Sequence, residues 1–121
     1  ACYDILIEKD IMNGIMKLDE KFDLILCIDT LVYFGDLSEF FNKILLCLSA
    51  NSLLCISIEV SDQDFSSYTL QINGRYQHAK MYIIELAQNN QLTLLNYKNV
   101  VGRHQDNQAI QTGLFIFKKI K

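Results

Sequence analysis

Apolar and polar positions follow two periods along the chain, and the change of period predicts alternating strands and helices. Residues 23–29 are a nearly continuous apolar run, too short for a helix and too apolar for a strand with one wet face, so they are interpreted as a buried parallel strand; residues 53–60 are predicted to be another strand. Shorter or later apolar runs predict strands at 4–7, 92–101 and 113–119, with residues 102–111 as a hairpin connection between the last two.

Helical spacing is clearest between the predicted strands at 23–29 and 53–60. The apolar residues there recur at i, i+3, i+4, i+7, i+8 and i+11, the stripe of a helix packed on a core: Leu37, Phe40, Phe41, Ile44, Leu45 and Leu48. Asp36 is the expected N-cap, with Glu39 completing a capping box. A weaker pattern predicts a helix at 11–18, and another ends at Asn89 and Asn90. Asn51 is expected in a turn with left-handed backbone.

This order predicts a single α/β domain over residues 1–121, with a mostly parallel sheet and an antiparallel end. Ligands of such sheets bind beyond the carboxyl ends of the strands. Asp10, Asp29, Tyr33 and Phe34 each follow a predicted strand at that edge. Two interpretations stay open: these residues line a cleft for a flat, polar ligand, or Asp29 caps a backbone turn and the two aromatic rings cover the core.

Composition narrows the class of protein. Of the 121 residues, 50% are hydrophobic and 21% charged, which is typical of a globular domain. A formal charge of −3 gives no basic surface for nucleic acid or an anionic membrane, so neither partner is expected. The four cysteines form no CxxC pair, which favours a reduced, cytoplasmic protein without a metal site.

Three stretches carry a resemblance to a known family. FDLILCIDTLVYFGDLSEFFNKILLCLSANSLLCISIE resembles the fourth strand, fourth helix and fifth strand of class I S-adenosylmethionine-dependent methyltransferases. INGRYQHAKMYIIELAQNNQL and VVGRHQDNQAIQTGLFIFKK are similar to the later segments of one branch, often found behind tetratricopeptide repeats. The resemblance covers nearly the whole chain and implies a Rossmann-like sheet ending in an antiparallel hairpin.

The chain departs from the family at the front. Its five glycines are too dispersed to form the Gly-rich cofactor loop, so the resemblance implies the C-terminal portion of the domain, without the N-terminal strands that carry that loop. Ala50, Asn51 and Ser52 stand where the family usually has Pro-Gly-Gly. Asn90 stands where a glycine often ends the helix, and Asn is expected to take positive φ there.

The resemblance implies S-adenosylmethionine as cofactor. Asp10 matches the residue that hydrogen-bonds the adenine amino group, and Ile11 lies against the ring; for Asp10 a helix N-cap is an equal alternative. Ile28 and Asp29 match the end of the strand beside the methionine part, and Leu31 lines the same wall.

The resemblance also implies an acceptor side. Tyr33, Arg75, Tyr76 and His78 are the candidate contacts to the methyl acceptor, and His78 or Tyr33 is the candidate general base. We expect the GRYQH segment, as a loop, to close over the carboxyl edge near Tyr33. His104 is expected to be an exposed hairpin residue.

The expected function is methyl transfer by the parent protein to a small-molecule or protein acceptor that the sequence does not identify. The alternative is a non-catalytic remnant acting as a binding or oligomerisation module. Without the front strands, residues 23–29 would form an exposed apolar edge. We therefore expect the 121-residue chain to pair residues 4–7 with that edge or to form a homodimer through it, and to be inactive, binding the cofactor weakly or not at all.

Overall fold

A computed structural model describes residues 21–60, 67–105 and 108–120. The predicted strand at 4–7 and helix at 11–18, and with them Asp10 and Ile11, lie outside these residues. Two helices, six strands and one 3₁₀ turn at Leu31–Tyr33 are described: β1 (Phe22–Cys27), α1 (Ser38–Cys47), β2 (Leu48–Glu59), β3 (Tyr68–Leu70), β4 (Tyr76–His78), α2 (Lys80–Asn89), β5 (Leu92–Gln105) and β6 (Gln108–Lys119).

The strands form one mixed sheet in the order β3-β4-β2-β6-β5, with β1 also paired to β2. β1 and β4 run parallel to β2, whereas the pairs β2–β6, β3–β4 and β5–β6 are antiparallel. The prediction of a mostly parallel sheet is therefore wrong for the described residues. The antiparallel share is larger than predicted for two reasons: β5 and β6 include residues 102–105 and 108–111, which were predicted as a connection, and the hairpin β3–β4, which was not predicted, is antiparallel.

The helical stripe of α1 is confirmed. Leu37, Phe40 and Phe41 are fully buried and Ile44 nearly so, whereas Leu45 is half-buried, and the fully buried Leu48, predicted as the end of the stripe, begins β2. The buried members share one core cluster with α2 and with the β2 side chains at positions 54, 56 and 58, which point to one face of the sheet. Both helices therefore cover the same face.

The start of α1 differs from the predicted capping box. Leu37 occupies the N-cap, and Asp36 Oδ1 accepts a hydrogen bond from the Ser38 N–H at 2.8 Å. Glu39 instead receives a hydrogen bond from Lys43 one turn later, where the two side chains form an exposed ion pair. The carboxylate of Asp36 thus still satisfies one orphan donor of the first turn.

Left-handed backbone was predicted at Asn51 and Asn90, and the structure shows it at one of the two. Asn51 has φ of 61°, as predicted, but lies inside β2, which begins at Leu48 rather than at residue 53. At the end of α2, Gln91 and not Asn90 takes positive φ, at 62°. Asn90 stays at φ of −113° because its Nδ2 donates to the Leu86 carbonyl at 2.8 Å, which holds it against the last helical turn.

β1 is buried on one face only, which corrects the prediction of a strand buried on both faces. Cys27 and Ile25 pack on the core below the helices. Leu24, Leu26 and Ile28 are 55%, 63% and 49% exposed. Within the described part of the chain no helix covers that face, and no strand pairs with the outer edge of β1.

Candidate functional site

The carboxyl ends of β1 and β2 lie together because the two strands are parallel neighbours. Asp29 follows β1 with φ of 54°, an uncommon conformation for a residue other than glycine. Its N–H donates to Ser57 Oγ at 2.7 Å, which ties the turn to β2. The chain therefore leaves the sheet at a fixed point, and places the Asp29 carboxylate at this edge.

The Arg75 guanidinium joins three elements at this edge. Its Nε donates to Glu59 Oε2, its Nη2 to Asp29 Oδ1 at 2.6 Å, and its Nη1 to the Tyr33 hydroxyl at 3.1 Å. The guanidinium carbon also lies 5.2 Å from the centroid of the Tyr33 ring, within cation–π range. As expected, Arg75 lies at the edge beside Tyr33.

The hairpin β3–β4 places Arg75. Gly74 has φ of +83° in the turn, and its N–H donates to the Gln71 carbonyl at 3.0 Å. The N–H of Gln71 in turn donates to the Arg75 carbonyl at 2.9 Å, and Asn73 Oδ1 accepts the Arg75 N–H at 2.9 Å. The expected GRYQH loop is therefore a turn, Gly74–Arg75, followed by the short strand β4.

Charge and burial differ sharply within this cluster. The side chain of Glu59 is 3% exposed and that of Arg75 11%, whereas that of Asp29 is 66% exposed. Burial by itself would lower the pKa of Arg75, but hydrogen bonds to Glu59 and Asp29 and the charges of both carboxylates outweigh it and raise the pKa. Arg75 thus neutralises the buried Glu59 and leaves Asp29 as the carboxylate open to solvent.

A cavity of about 260 Å³ adjoins this cluster. It lies on the sheet face opposite the helices, because Ser57 and Glu59 alternate with the core-facing side chains of β2. Its walls combine the charged cluster with apolar side chains: Ile28, Asp29, Ser57, Glu59, Arg75, Val100, Thr112 and Leu114.

His78 is fully buried and does not line the cavity. Its Nε2 lies 2.9 Å from the Phe34 carbonyl and 3.1 Å from the Gly35 carbonyl, so this nitrogen carries the hydrogen. Its Nδ1 has no hydrogen-bond partner among the described residues, and burial lowers the pKa of the ring, although both carbonyls and the charge of Glu59 oppose this. These contacts hold the loop after β1. They do not connect the His78 ring to the cavity, where it would have to take a proton from a ligand.

The other predicted site residues divide between surface and core. Tyr33 is exposed, whereas Leu31 is fully buried and Phe34 packs against the core. Tyr76 packs edge to face on Tyr68, with ring centroids 6.0 Å apart. The structure therefore brings together Ile28, Asp29, Tyr33 and Arg75, and keeps Leu31 and Tyr76 away from the cavity lining.

Glu59 and Ser57 were missed as site residues in the sequence. The signal for Glu59 was the same as for Asp29, a carboxylate directly after an apolar run, here LLCISIE. The sequence around Ser57 contains no such feature, because serines are common inside buried strands. Its role is apparent only from the structure, in which its hydroxyl accepts the Asp29 N–H.

Neither a metal cluster nor a membrane-spanning helix is found in the described ranges. Residues 21–60, 67–105 and 108–120 contain no group of three or more His, Cys, Asp or Glu side chains placed to hold a metal ion. Neither helix of those ranges is long and apolar enough to cross a membrane.

The sequence matches no protein-family model and no curated protein. The fold is similar to that of S-adenosylmethionine-dependent methyltransferases of known structure. One from Methanosarcina mazei superposes with a TM-score of 0.67 at 10% identity, over 88% of this chain and 64% of that one. The N-methyltransferase NodS from Bradyrhizobium japonicum, in complex with S-adenosylhomocysteine, gives 0.64 at 20% identity, over 88% and 52%.

A third similar structure is not described as a methyltransferase. The [4+2]-cyclase SpnF gives a TM-score of 0.69 at 12% identity, over 88% of this chain and 54% of that one. At such identities the likeness shows the fold alone: an α/β methyltransferase-like fold with a mixed, open sheet. The chain spans between about half and two thirds of the length of these three proteins.

Proposed function

We propose that this chain forms the acceptor-side part of an S-adenosylmethionine-dependent methyltransferase, the C-terminal portion of a domain of the branch found behind tetratricopeptide repeats, in the cytoplasm. The observation that carries the proposal is the cluster of Asp29, Arg75, Glu59 and Tyr33 beside a cavity, at the carboxyl edge of two parallel strands. In α/β sheets this edge is where ligands bind. The similarity of the fold to methyltransferases supports the proposal.

The residues at this edge fit the cofactor. The exposed carboxylate of Asp29 suits the positive charge of S-adenosylmethionine, and the half-exposed side chain of Ile28 offers an apolar contact. The adenine contacts proposed for Asp10 and Ile11 concern residues outside the described ranges. The cofactor would supply the activated methyl group, and the protein would bind and orient the acceptor toward it.

The chain's own residues would orient the acceptor and exclude water. Arg75 holds Tyr33 and Asp29 in fixed positions, so the exposed Tyr33 ring forms a wall beside the site. Tyr33 is the candidate general base: its hydroxyl would pass its own proton to water as it takes one from an acceptor, because it lies at the exposed surface of the cluster. His78 acts on the site through the loop that its Nε2 anchors at Phe34 and Gly35.

Cofactor binding is the direct test. The product of the complete gene should bind S-adenosylmethionine and S-adenosylhomocysteine in calorimetry, and Asp29→Ala should weaken binding by about 1 to 3 kcal/mol, the cost of removing a polar partner. The 121-residue chain by itself should bind weakly or not at all. A complete gene product that binds neither compound would overturn the proposal.

The exposed row on β1 favours a second candidate function. Leu24, Leu26 and Ile28 alternate along a strand whose outer edge is unpaired within the described residues, and rows of this kind commonly mark interaction sites. A non-catalytic module that binds a second copy of itself would use this row. Sedimentation of the 121-residue chain at increasing concentration tests it, since a constant monomer mass would contradict homodimer formation.

A further inference from the structure

We infer that Gly35, His78 and Tyr82 are positioning residues for Tyr33 in the candidate site, and that a second proton on the His78 ring releases Tyr33 from its position. The role of Tyr33 rests on the proposed function, and the pH dependence is a regulation of that same site. Tyr33 is followed directly in the chain by residues 34–37, the docked loop, and the contacts of this loop transmit the effect.

Two side chains hold the docked loop by hydrogen bonds. His78, in β4, donates from Nε2 to the carbonyls of Phe34 at 2.9 Å and Gly35 at 3.1 Å. Tyr82, in α2, accepts the Leu37 N–H through its hydroxyl at 3.0 Å. The rings of His78 and Tyr82 are stacked, with an interplanar angle of 9° and centroids 6.3 Å apart. The loop is therefore held at both ends by neighbouring rings.

Gly35 allows the docked loop to approach the hairpin β3–β4 closely. A Cβ at this position would lie 2.8 Å from a ring carbon of Tyr68 and 2.8 Å from a ring carbon of Tyr76, closer than carbon atoms pack. The backbone of Gly35 is not left-handed, unlike that of Gly74. Glycine is therefore required by the two rings rather than by the conformation of the chain.

The hairpin holds this part of the chain at two points. At the surface, Arg75 Nη1 donates to the Tyr33 hydroxyl at 3.1 Å, and the guanidinium carbon lies 5.2 Å from the centroid of the Tyr33 ring. In the interior, the fully buried His78, three residues after Arg75, holds the docked loop. Loss of the inner contact would let the docked loop move, and Tyr33 would leave Arg75 with it.

A second proton on His78 would have to enter at Nδ1, because Nε2 already carries the hydrogen that the two carbonyls accept. Nδ1 is buried and has no hydrogen-bond partner among the described residues. A proton there would give a charged ring with an unsatisfied buried donor, which is costly. The cost falls when the docked loop moves and water reaches Nδ1. Protonation therefore favours the released loop.

The titratable groups that surround the ring come from five parts of the fold: Tyr68 of β3, Tyr76 of β4, Tyr82 of α2, Asp36 of the docked loop and Glu59 of β2. Phenols carry no charge between about pH 5 and 7.5. The two carbonyls and the charge of Glu59 favour the protonated ring, but burial outweighs them and lowers the pKa of His78. The ring is therefore neutral at neutral pH, and the docked loop is held.

NMR of the 121-residue chain, with isotope-labelled tyrosine and histidine rings, follows both groups in one titration from about pH 7.5 to about pH 5. The Tyr33 signal, assigned by its absence in Tyr33→Phe, should shift with the same midpoint as the His78 ring. The Tyr97 signal should stay constant, because that ring packs on Phe115 in the β5–β6 hairpin. Circular dichroism at each pH checks that the chain stays folded.

Three variants separate the proton from the loop. His78→Gln keeps an amide that can donate to the loop carbonyls but does not titrate, so the Tyr33 signal should stay at its neutral-pH position throughout. Gly35→Ala places a methyl group against two tyrosine rings, and should move the Tyr33 signal toward its acid position already at neutral pH. His104→Gln removes an exposed histidine and should leave the Tyr33 titration unchanged.

The titration of the unchanged chain decides the inference even if a variant fails to fold. A Tyr33 signal that stays constant to the acid end, that still titrates in His78→Gln, or that moves only when the whole chain unfolds would overturn it. Calorimetry of the complete gene product with S-adenosylhomocysteine tests the proposed function separately. Binding without a Tyr33 titration would reject only the inference, and a Tyr33 titration without binding would support the positioning and reject the proposed function.

Discussion

Arg75 is the residue on which the site depends, because it links the ends of β1 and β2 through two carboxylates of different exposure. A lysine would not serve as well, since a single ammonium cannot reach three oxygens in the geometry of a planar guanidinium. The buried partner sets the energetic consequence of losing Arg75, because the Glu59 side chain is 3% exposed and would lose its hydrogen bond and ion pair with the guanidinium.

Arg75→Met should therefore lower the free energy of unfolding by about 3 to 5 kcal/mol, the range for breaking a buried ion pair on one side. Urea unfolding measures it, with Lys43→Met as the control, because the exposed Glu39–Lys43 pair should contribute about 0 to 1 kcal/mol. The double variant Arg75→Met, Glu59→Gln should recover part of the loss. If Arg75→Met costs no more than Lys43→Met, the pair is not buried in solution.

His78 should make the stability depend on pH. Its pKa is lowered in the fold by burial, so the unfolded chain takes up the proton first, and stability should be complete above the unfolded value and fall as the pH drops below about 6.5. Urea unfolding between about pH 5 and 7.5 measures the slope.

His104 provides the control for that measurement, because it is exposed on β5, as predicted. His78→Gln should flatten the slope near pH 6, and His104→Gln should leave it unchanged. A slope that survives His78→Gln would assign the pH dependence to another group.

At the scale of elements, α1 shows why a helical stripe is readable in the sequence. Side chains three and four residues apart share one face, so the apolar spacing fixes which side is buried wherever the helix packs. Phe41 is fully buried and its ring meets Phe117 of β6 edge to face, with centroids 6.4 Å apart. Leu46 lies on the opposite side and is largely exposed.

This contrast gives a matched pair of substitutions within one helix. Phe41→Ala should lower the free energy of unfolding by about 3 to 5 kcal/mol through lost burial and the cavity that remains. Leu46→Ala should change it by about 0.5 kcal/mol or less. Thermal or chemical unfolding compares the two, and similar losses would mean that α1 packs differently on the sheet.

For the molecule as a whole, the main feature is the sheet face that no described helix covers. Both helices pack on one face, and the other presents apolar β1 side chains to solvent while holding the cavity near its carboxyl edge. The expectation of an exposed edge at residues 23–29 agrees with the exposure of Leu24 and Leu26 and with the single described neighbour of β1. The pairing of residues 4–7 with that edge stays a prediction.

Self-association through this face should respond to a charge on β1. Leu26→Glu should shift the 121-residue chain toward monomer in sedimentation velocity, because a carboxylate would have to be desolvated in the interface. Met81→Glu, at an exposed apolar position on α2, should leave the association unchanged. Equal effects of the two substitutions would mean that the face of β1 is not the contact.

The sequence by itself determined the features whose signal is local: the stripe of α1, the end of α2 at Asn89, the left-handed backbone at Asn51, and a carboxylate shortly after β1. It also placed Asp29 and Tyr33 at one edge, whereas Arg75 was expected there from the resemblance to methyltransferases. These features depend on spacing and backbone preference, which a short window of sequence contains.

Only the tertiary structure determined the features that depend on contacts between residues distant in the chain, namely which side chains are buried and which strands are neighbours. Burial of Glu59 follows from an arginine 16 residues away, and the position of Leu31 and His78 inside the fold follows from helices packing on one face. The balance of parallel and antiparallel strands was likewise set by which strands became neighbours. A strand's sequence records how apolar its faces are, but its neighbours determine which face is covered and which carboxylate is left open to a ligand.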